Sequence, residues 1–402
     1  MFSAVIRKIV SSILLFLPLK TQAMPNKLTL VSFILSLFLA VTSCQSNAEQ
    51  QQKEEALRNE VLAEFQQRLL KNQLDSIFSQ HQFNASVSIA QHNKIIYEKH
   101  QGFADFSTNT PLDSNTVFAI ASISKQFTGV LILLQQEQGK LNIQDKVSQY
   151  LPQFQQSPLD NITIHQLLNH TSGINDFGEG LLFKSGTSYN YSNKGYNYLG
   201  DIIAKVSGKS YDDNVKELFT KVGMIHSSTA SLHSGQQLAH AHTGTAKQPQ
   251  KIDDMPRRLA TPSIGTAAGG LLSTTKDLHL WNQKLYQGHI LNTKSLALFK
   301  KNYITRPHYI LGNVGYGYGI MSNLSAPEAF FHTGYVKGAP SLLIYYPATQ
   351  TSVAILSNIA NENLGKESIF LPHRRIKELT DAITTATLEV KQHFATQKSS
   401  TQ

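Results

Sequence analysis

Strand-like segments near both ends of this chain, with helix-like segments between them, constrain its fold most strongly. Residues 85–90 and 94–99 flank a polar turn and predict an early β-hairpin. Four later segments alternate or run apolar at strand length: residues 316–321, 329–332, 341–346 and 352–357. Pairing between these distant sets would close one sheet. We therefore predict an α+β fold, in which an antiparallel sheet is flanked by helices and stands beside a mostly helical lobe.

Helix-like periodicity dominates the middle of the chain. The helix that begins near Ser122 carries apolar residues at spacings of three and four, which predicts one buried side, and Gly139 ends it. Further helical candidates are residues 145–150, 163–170, 195–207 and 211–223, and residues 265–285 run from a glycine-rich turn into a helix. A last helix covers about residues 372–394, and we expect the polar tail after it to fray. The predicted divisions are a tether with an amphipathic helix at 44–82, a main domain at 83–372 with its helical lobe at about 140–260, and a C-terminal helix and tail at 373–402.

The N-terminal region has the pattern of an export signal. Residues 28–40 form an apolar run after Lys27, shorter than the roughly 20 residues that span a bilayer. The next four residues, Val-Thr-Ser-Cys, resemble the lipobox of bacterial lipoproteins, which implies that Cys44 becomes lipidated. Residues 1–23 are also signal-like, so either translation starts at Met24 or the chain has a double hydrophobic anchor. We predict that residues 1–43 are a targeting segment and that the protein is a membrane-anchored lipoprotein facing the periplasm or cell exterior.

Charge and cysteine content exclude several function classes. The formal net charge is +9, but four basic residues lie within the first 27, which leaves +5 for the remainder. The basic residues do not form runs with interleaved aromatic residues, so we predict no nucleic-acid partner. Cys44 is the single cysteine, so its lipidation would leave no thiol for catalysis or metal binding. The histidines of the loop around His240 lack nearby carboxylates, and we predict no metal and no other cofactor.

Ser122 and Lys125 form the first candidate catalytic pair. Residues three apart lie about one helical turn apart, so the two side chains can touch. A serine hydroxyl becomes a good nucleophile when a neighbour takes its proton, and a lysine with a lowered pKa can do so. Ser273 and Lys276 have the same spacing, although Ser273 or a neighbouring threonine could instead cap the next helix. The motif alone therefore leaves both serines open.

Two further motifs carry polar groups suited to the same chemistry. Tyr191-Ser192-Asn193 is the only Tyr-x-Asn in the chain; its phenol can relay a proton and its amide can bind a carbonyl. His332-Thr333-Gly334 joins an apolar run to a further strand, which favours a position along a sheet edge facing Ser122. At that edge Gly334 would let a substrate approach the backbone closely.

These motifs occur in a characteristic order along the chain: Ser122-x-x-Lys125, Tyr191-x-Asn193, then His332-Thr333-Gly334. The order resembles that of the serine β-lactamase and penicillin-binding peptidase superfamily, and it is most similar to class C β-lactamases and the related DD-peptidases, D-aminopeptidases and esterases. The resemblance covers roughly residues 83–358. It implies a β-lactamase-like serine hydrolase in which Ser122 forms an acyl-enzyme while Lys125 and Tyr191 share the acid and base work. It also assigns Ser273 to a helix cap behind the site.

The resemblance also implies a set of substrate-binding groups. Asn193 and Thr333 would orient the substrate, and backbone N–H groups of Ser122 and Tyr335 would bind the oxyanion. His332 departs from the lactamase pattern, which usually has lysine there, and a neutral histidine weakens recognition of a substrate carboxylate. We therefore expect hydrolysis of peptide, amide or ester bonds, with peptidoglycan-derived peptides among the candidate substrates, ahead of β-lactam hydrolysis. A non-catalytic lipoprotein that binds peptidoglycan or a partner with the same fold is the alternative from another class.

Overall fold

The computed structural model describes residues 47–235, 237–253 and 265–400. The predicted targeting segment and Cys44 lie outside these residues. The chain divides into two units between Leu70 and Lys71. Helix α1 contains the described part of the first unit and continues into the second. Within the described part of the chain, no helix is long and apolar enough to cross a membrane.

The described strands are short except in the main sheet. They are β1 Ala85–Gln91, β2 Lys94–Gln101, β3 Phe103–Asp105, β4 Thr110–Pro111, β5 Phe118–Ala119, β6 Ser228–Thr229, β7 His242–Thr245, β8 Gln248–Lys251, β9 Leu271–Ser273, β10 Ile304–His308, β11 Gly312–Tyr316, β12 Met321–Ser322, β13 Phe330–Val336, β14 Ala339–Tyr346, β15 Thr351–Ser357 and β16 Ile359–Ala360. The described helices are α1 Asn47–His81, α2 Ser124–Glu137, α3 Ile164–Leu168, α4 Asn193–Ser207, α5 Tyr211–Val222, α6 Thr266–Gly269, α7 Thr275–Tyr286, α8 Thr293–Lys300, α9 Gly365–Ile369 and α10 Leu371–Ser400.

The largest sheet among the described residues joins both ends of the main unit. Its eight strands run in the order β10-β11-β12-β13-β14-β15-β1-β2. Strand β1 pairs antiparallel with β15, in a register that sets Ala85 opposite Ser357. Side chains of β14 and β15 are buried throughout, because helices cover the sheet. The predicted α+β class and the pairing of distant segments are confirmed.

Helix α2, which follows Ser122, is more deeply buried than its pattern predicts. The expectation of one buried side is wrong, since every residue from Ser124 to Leu133 is buried. The polar members of this run find partners inside: Thr128 Oγ1 donates to the carbonyl oxygen of Ala267 at 2.7 Å. The ring of Phe127 stacks on that of Trp281 with centroids 4.0 Å apart. Packing on all sides fixes the helix that carries Lys125.

Glycine-rich sequence accounts for one wrong strand prediction. Residues 316–321 were expected to form one strand, but β11 ends at Tyr316 and β12 begins at Met321. Gly319 lies in the turn between them with a φ of +79°. A Cβ atom on Gly319 would come within 2.4 Å of the Lys125 carbonyl oxygen. The turn therefore packs directly on the backbone of α2, and the glycine permits that contact.

Three other boundaries also differ from the predictions. The helix expected over residues 145–150 is a single 3₁₀ turn at Val147–Gln149. Residues 265–285 also contain strand β9, which was not predicted and which pairs with β5 on one side and β6 on the other before helix α7 begins. Helix α10 extends to Ser400, so the polar tail continues the helix where fraying was expected.

Candidate active site

Ser122 lies on a tight turn immediately before helix α2. The turn is a 3₁₀ helix at Ala121–Ile123, and Ala121 has a φ of +47°. This backbone conformation is unfavourable for a residue other than glycine, so the surrounding structure must hold it. The Ile120 N–H donates to the Leu271 carbonyl oxygen at 3.1 Å, and Ser341 Oγ donates to the Ile120 carbonyl oxygen at 3.0 Å. Two separate elements thus fix the turn that presents Ser122.

Lys125 is fully buried beneath this turn. Its Nζ lies 3.4 Å from Ser122 Oγ and donates to Asn193 Oδ1 and to the Ala268 carbonyl oxygen, each at 2.7 Å. Burial lowers the pKa of Lys125 to about 7, and the charge of Asp176 opposes that shift in part. The lysine can therefore exist in either protonation state near neutral pH.

The contacts of Lys125 match the geometry of a neutral amine that accepts a proton. A neutral amine has two N–H groups and one lone pair. If Asn193 and Ala268 accept the two N–H bonds, the lone pair remains for the Ser122 hydroxyl. In the ammonium form the third N–H donates to Ser122 Oγ instead. Loss of one proton from Lys125 thus reverses the direction of its bond with Ser122.

Tyr191 closes the other side of the serine. Its hydroxyl is hydrogen-bonded to Ser122, and Lys125 Nζ lies 4.7 Å from the centre of its ring. Burial raises the pKa of Tyr191 far above that of free tyrosine, although the bond to Ser122 acts in the opposite direction. The phenol therefore stays protonated near neutral pH. Ser122 contacts both a lysine that can lose its proton and a tyrosine that keeps its own.

Asp176 fixes the segment that carries Tyr191 and Asn193. Its carboxylate accepts the N–H groups of Asn193, at 2.7 Å, and Lys194, at 3.1 Å, and the Ser192 hydroxyl at 2.5 Å. Ser192 in turn caps helix α4 by accepting from the N–H of Gly195. These bonds hold Asn193 at the first position of α4, where its side chain reaches Lys125.

His332 does not reach the open side of the site. Its ring is 1% exposed and lies in a buried chain of hydrogen bonds. The His332 Nδ1–H donates to the Thr333 carbonyl oxygen at 2.6 Å, which leaves Nε2 to accept from the Tyr316 hydroxyl at 3.1 Å. Burial lowers the pKa of His332 well below its usual value. The expectation of direct substrate contact through this ring is therefore corrected, although its neutrality was anticipated.

The same chain of hydrogen bonds continues to His170. The Ser192 N–H donates to His170 Nδ1 at 3.1 Å, so His170 Nε2 carries the proton and donates to the Tyr316 hydroxyl at 3.0 Å. His170 is fully buried and its ring lies 4.4 Å from that of Tyr191. Each ring nitrogen and the Tyr316 hydroxyl thus has a defined role, and the network forms a neutral back wall behind Tyr191.

Strand β13 brings the rest of the triplet against the Ser122 turn. A Cβ atom on Gly334 would lie 2.2 Å from the Ile120 carbonyl oxygen and 2.3 Å from Ser341 Oγ. The glycine was expected to admit substrate, but the group it admits is the backbone of the serine turn. Within strand β13, only Phe330 and Phe331 pair with β12, so the later half of β13 is free of that neighbour. Thr333 and Tyr335 lie on this half, and the Tyr335 hydroxyl donates to Glu362.

Ser273, the competing candidate for the nucleophile, makes contacts that indicate a structural role. Ser273 ends strand β9, is fully buried, and its hydroxyl lies 2.8 Å from that of Ser227. Helix α7 is capped by Thr274, whose hydroxyl accepts from the N–H of Asp277 at 3.1 Å. The assignment of Ser273 itself as the cap is therefore wrong, and the neighbouring threonine takes that role.

Three polar residues near the site were missed from the sequence. Asp176 lies in a loop 15 residues before Tyr191, a separation that no local pattern marks. Arg306 and His308 lie on β10, where their inward position is set by alternate burial along the strand, a property of the folded chain that the sequence did not mark. Across residues 47–235, 237–253 and 265–400, no group of three or more His, Cys, Asp or Glu side chains could hold a metal ion.

Known proteins are similar to this one over most of the chain. A family model described as Beta-lactamase matches residues 59–370. Penicillin-binding protein 4* of Bacillus subtilis is 28% identical over 326 residues, which are 72% of this chain and 71% of that protein. An octameric penicillin-binding protein homologue from Pyrococcus abyssi superposes with a TM-score of 0.63 at 25% identity, over 72% of each chain. D-amino acid amidase from Ochrobactrum anthropi gives a TM-score of 0.65 at 20% identity, over 80% of this chain and 99% of the other.

Proposed function

The chain belongs to the beta-lactamase family and is a serine hydrolase of amide or ester bonds, and on that premise we propose that Ser122 is its nucleophile and Lys125 its principal base. One observation carries the proposal: Lys125 is buried, has a pKa of about 7, and lies 3.4 Å from Ser122 Oγ. Tyr191 also contacts Ser122, but burial raises its pKa and keeps it protonated. It is therefore suited to give a proton to the leaving group.

The proposed reaction has two steps. Lys125 accepts the hydroxyl proton of Ser122 as Oγ bonds to the substrate carbonyl carbon. The oxyanion binds the N–H groups of Ser122 and Tyr335, and the bond to the leaving amine or alcohol breaks as that group takes a proton from Tyr191. Lys125 returns its proton to Tyr191 and is neutral again. Water then attacks the acyl-enzyme with Lys125 as base, and the acid product leaves while Ser122 regains its proton.

Asn193 has a positioning part in this scheme. Its side-chain oxygen accepts from Lys125 at 2.7 Å, so it aims the amine at Ser122. Thr333 lies on the strand that faces the serine turn and would orient the substrate. His332 supports that strand from behind and contributes no positive charge.

We infer that peptide-like amides and esters are preferred over β-lactams. The similar proteins include a penicillin-binding protein and a D-amino acid amidase, and the neutral His332 replaces the lysine typical of lactamases. Short p-nitrophenyl esters, D-amino acid amides and peptides, and nitrocefin should be compared side by side with wild type and Ser122→Ala. Turnover of esters or amides that Ser122→Ala lacks would support the proposal. Nitrocefin turnover alone would make the protein a β-lactamase, and turnover of none would favour a binding protein.

We further propose that the protein is exported and anchored by a lipid on Cys44. The support is the sequence of residues 24–44 alone. A cell wall location would give the enzyme access to peptidoglycan-derived peptides. Metabolic labelling with a radioactive fatty acid tests the anchor: the wild-type chain should be labelled and recovered with membranes, whereas Cys44→Ala should be unlabelled. Equal labelling of both chains would contradict the anchor without affecting the assignment of the hydrolase.

A further inference from the structure

We propose that Glu362 is a positioning residue for the oxyanion site: it holds the Tyr335 side chain and, through it, the backbone N–H that binds the oxyanion. This role depends on the proposed function, in which the N–H groups of Tyr335 and Ser122 bind the oxyanion. Glu362 lies outside the three catalytic motifs, 28 positions after the triplet ends at Gly334.

The β13–β14 hairpin directs the N–H of Tyr335 away from β14. A two-residue turn closes this hairpin between Val336 and Ala339, and Tyr335 lies opposite Pro340. In an antiparallel ladder, pairs that exchange hydrogen bonds alternate with pairs that do not, and a two-residue turn is closed by a bonded pair. Tyr335 and Pro340 are therefore a non-bonded pair, as the missing N–H of proline requires. The Tyr335 N–H points to the edge of β13 that β12 leaves free.

The side chain of Tyr335 supplies support that the ladder does not. Among the described residues, the end of β13 has a strand neighbour on the β14 side only. The Tyr335 hydroxyl donates to Glu362 and accepts the N–H of Gly338. Its ring packs edge-on against that of Phe370, with centroids 5.9 Å apart. The residue that presents the N–H is thus bonded at its hydroxyl and packed at its ring.

Strand β7 supports both ends of the bond between Tyr335 and Glu362. Glu362 begins a 3₁₀ turn just after β16, and β16 pairs with β7 with Ala360 opposite Thr243. On the hairpin side, a Cβ atom on Gly338 would lie 2.5 Å from the His242 carbonyl oxygen, so the turn packs directly on β7. The bond therefore joins two segments that rest on one strand, and it fixes the end of β13 relative to both.

The carboxylate of Glu362 makes this bond stronger than a bond between neutral groups. Burial and the charge of Glu362 both raise the pKa of Tyr335, so the phenol keeps the proton that it donates. A hydrogen bond from a hydroxyl to a carboxylate is charge-assisted and is roughly twice as strong as a neutral one. Glutamine at position 362 could still accept this bond, whereas alanine could not.

Loss of the bond should affect acylation and not substrate binding. An oxyanion donor stabilises charge that develops in the transition state, and it must lie about 2.7–3.1 Å from the oxyanion to do so. A small displacement of the Tyr335 N–H would therefore lower the rate of acylation. The dissociation constant of the substrate should stay nearly unchanged, because the substrate carbonyl does not yet carry that charge.

Pre-steady-state kinetics with a p-nitrophenyl ester separate these two quantities. We expect Glu362→Ala and Tyr335→Phe each to lower the saturating acylation rate about 10-fold, less than the roughly 100-fold or more lost when a donor is removed outright. The substrate Kd should change by less than about 2-fold. The double variant should lose about 10-fold again and not about 100-fold, because both substitutions break the same bond. Glu362→Gln should recover most of the rate, since its amide oxygen accepts from Tyr335.

Phenylboronic acid gives a second readout of the oxyanion site. It adds to the Ser122 hydroxyl and places a boron-bound oxygen where the substrate oxyanion would lie. Its inhibition constant should rise about 10-fold in Glu362→Ala and in Tyr335→Phe, in parallel with the fall in acylation rate. Urea unfolding measures stability separately. A merely structural bond would lower stability and leave the acylation rate and the boronate affinity at their wild-type values, which would overturn the proposal.

Glu367→Ala is the matched control, because Glu367 is an exposed glutamate on α9, five positions after Glu362. It should keep the wild-type acylation rate. If Glu362→Ala does not fold, Tyr335→Phe decides, since it keeps the ring packed on Phe370 and loses only the hydroxyl. A substrate Kd that rises as much as the acylation rate falls, or losses that multiply in the double variant, would show that Glu362 does not act through the oxyanion site. If wild type is acylated no faster than Ser122→Ala, the proposed function itself fails.

Discussion

Lys125 Nζ lies 2.7 Å from Asn193 Oδ1, closer than the 3.4 Å that separates it from Ser122 Oγ. The amide oxygen therefore accepts one N–H of the amine at closer range than the serine hydroxyl does. The Ala268 carbonyl oxygen accepts a second N–H of the amine. Together the two acceptors leave the third position on Lys125 Nζ, a lone pair or an N–H, directed at Ser122. Asn193 on helix α4 thus influences the protonation state of Lys125 on helix α2.

Replacing Asn193 by aspartate should shift the pH dependence upward. A carboxylate at this position would stabilise the charged form of Lys125 and raise its pKa by about 1–3 units. The ascending limb of kcat/KM, expected near pH 7 in wild type because the neutral amine is the base, should move to higher pH in Asn193→Asp. Rate measurements on a p-nitrophenyl ester from pH 5 to pH 9 would check this. An unchanged limb with lower activity would show that Lys125 is not the titrating base.

Asp176→Asn should shift the same limb downward. The charge of Asp176 raises the pKa of Lys125 in partial opposition to burial, so its removal should lower that pKa further. The asparagine oxygen can still accept an N–H from the start of α4, which preserves much of the local structure. Glu217→Gln, at an exposed position on α5, is the control and should leave the profile unchanged. A shift of the Asp176→Asn limb to higher pH would contradict the electrostatic assignment.

Gly334→Ala should damage both stability and activity. The added Cβ atom would meet the Ile120 carbonyl oxygen at 2.2 Å and push β13 away from the Ser122 turn. We expect a loss of about 1–3 kcal/mol in the free energy of unfolding and a fall of at least about 100-fold in kcat/KM. Gly208→Ala, at the left-handed end of α4, should cost about 1 kcal/mol without changing kcat/KM. Equal activity losses in the two variants would mean that the effect of Gly334 is not local.

Tyr316→Phe should destabilise the buried wall behind Tyr191. The phenylalanine would leave His170 Nε2–H without its acceptor and His332 Nε2 without its donor. The expected loss is about 1–3 kcal/mol in the free energy of unfolding, measured by urea titration at pH 7. Tyr198→Phe keeps its ring contact with Phe154 and is the control, with a change within about 0.5 kcal/mol. A neutral result for Tyr316→Phe would show that the histidine tautomers rearrange freely.

The sequence predicted those parts of the fold that local periodicity determines. The β1–β2 hairpin, the helix after Ser122 and the last three predicted strands, at residues 329–332, 341–346 and 352–357, were correct because their apolar spacing is strong. The strand expected over residues 316–321 failed because Gly319 packs on the Lys125 backbone, a tertiary contact that no local pattern records. The expectation that only one side of helix α2 is buried failed for a similar reason. The elements that cover its other sides come from distant parts of the chain, and the local spacing of apolar residues does not record them.

In the candidate site, too, the local motifs were predictable from the sequence, whereas the contacts formed by folding were not. The order of three short motifs identified the family and the residues now gathered around Ser122. Their partners were not predictable: Asp176 and Arg306 have no fixed spacing from those motifs. The environment of His332 depends on Tyr316 and His170, which only the fold brings together. Burial, which sets the pKa of Lys125, is likewise a property of the folded chain.

Mapping of a fluorophosphonate adduct by intact-protein and peptide mass spectrometry tests the central claim most directly. Wild type should gain one adduct, carried by the peptide that contains Ser122, and Ser122→Ala should gain none. Ser273→Ala is the matched control, because Ser273 has the same spacing to a lysine but a fully buried hydroxyl bonded to Ser227, and it should label like wild type. An adduct on Ser122→Ala, or one mapped to Ser273 in wild type, would contradict the assignment of Ser122 as the nucleophile.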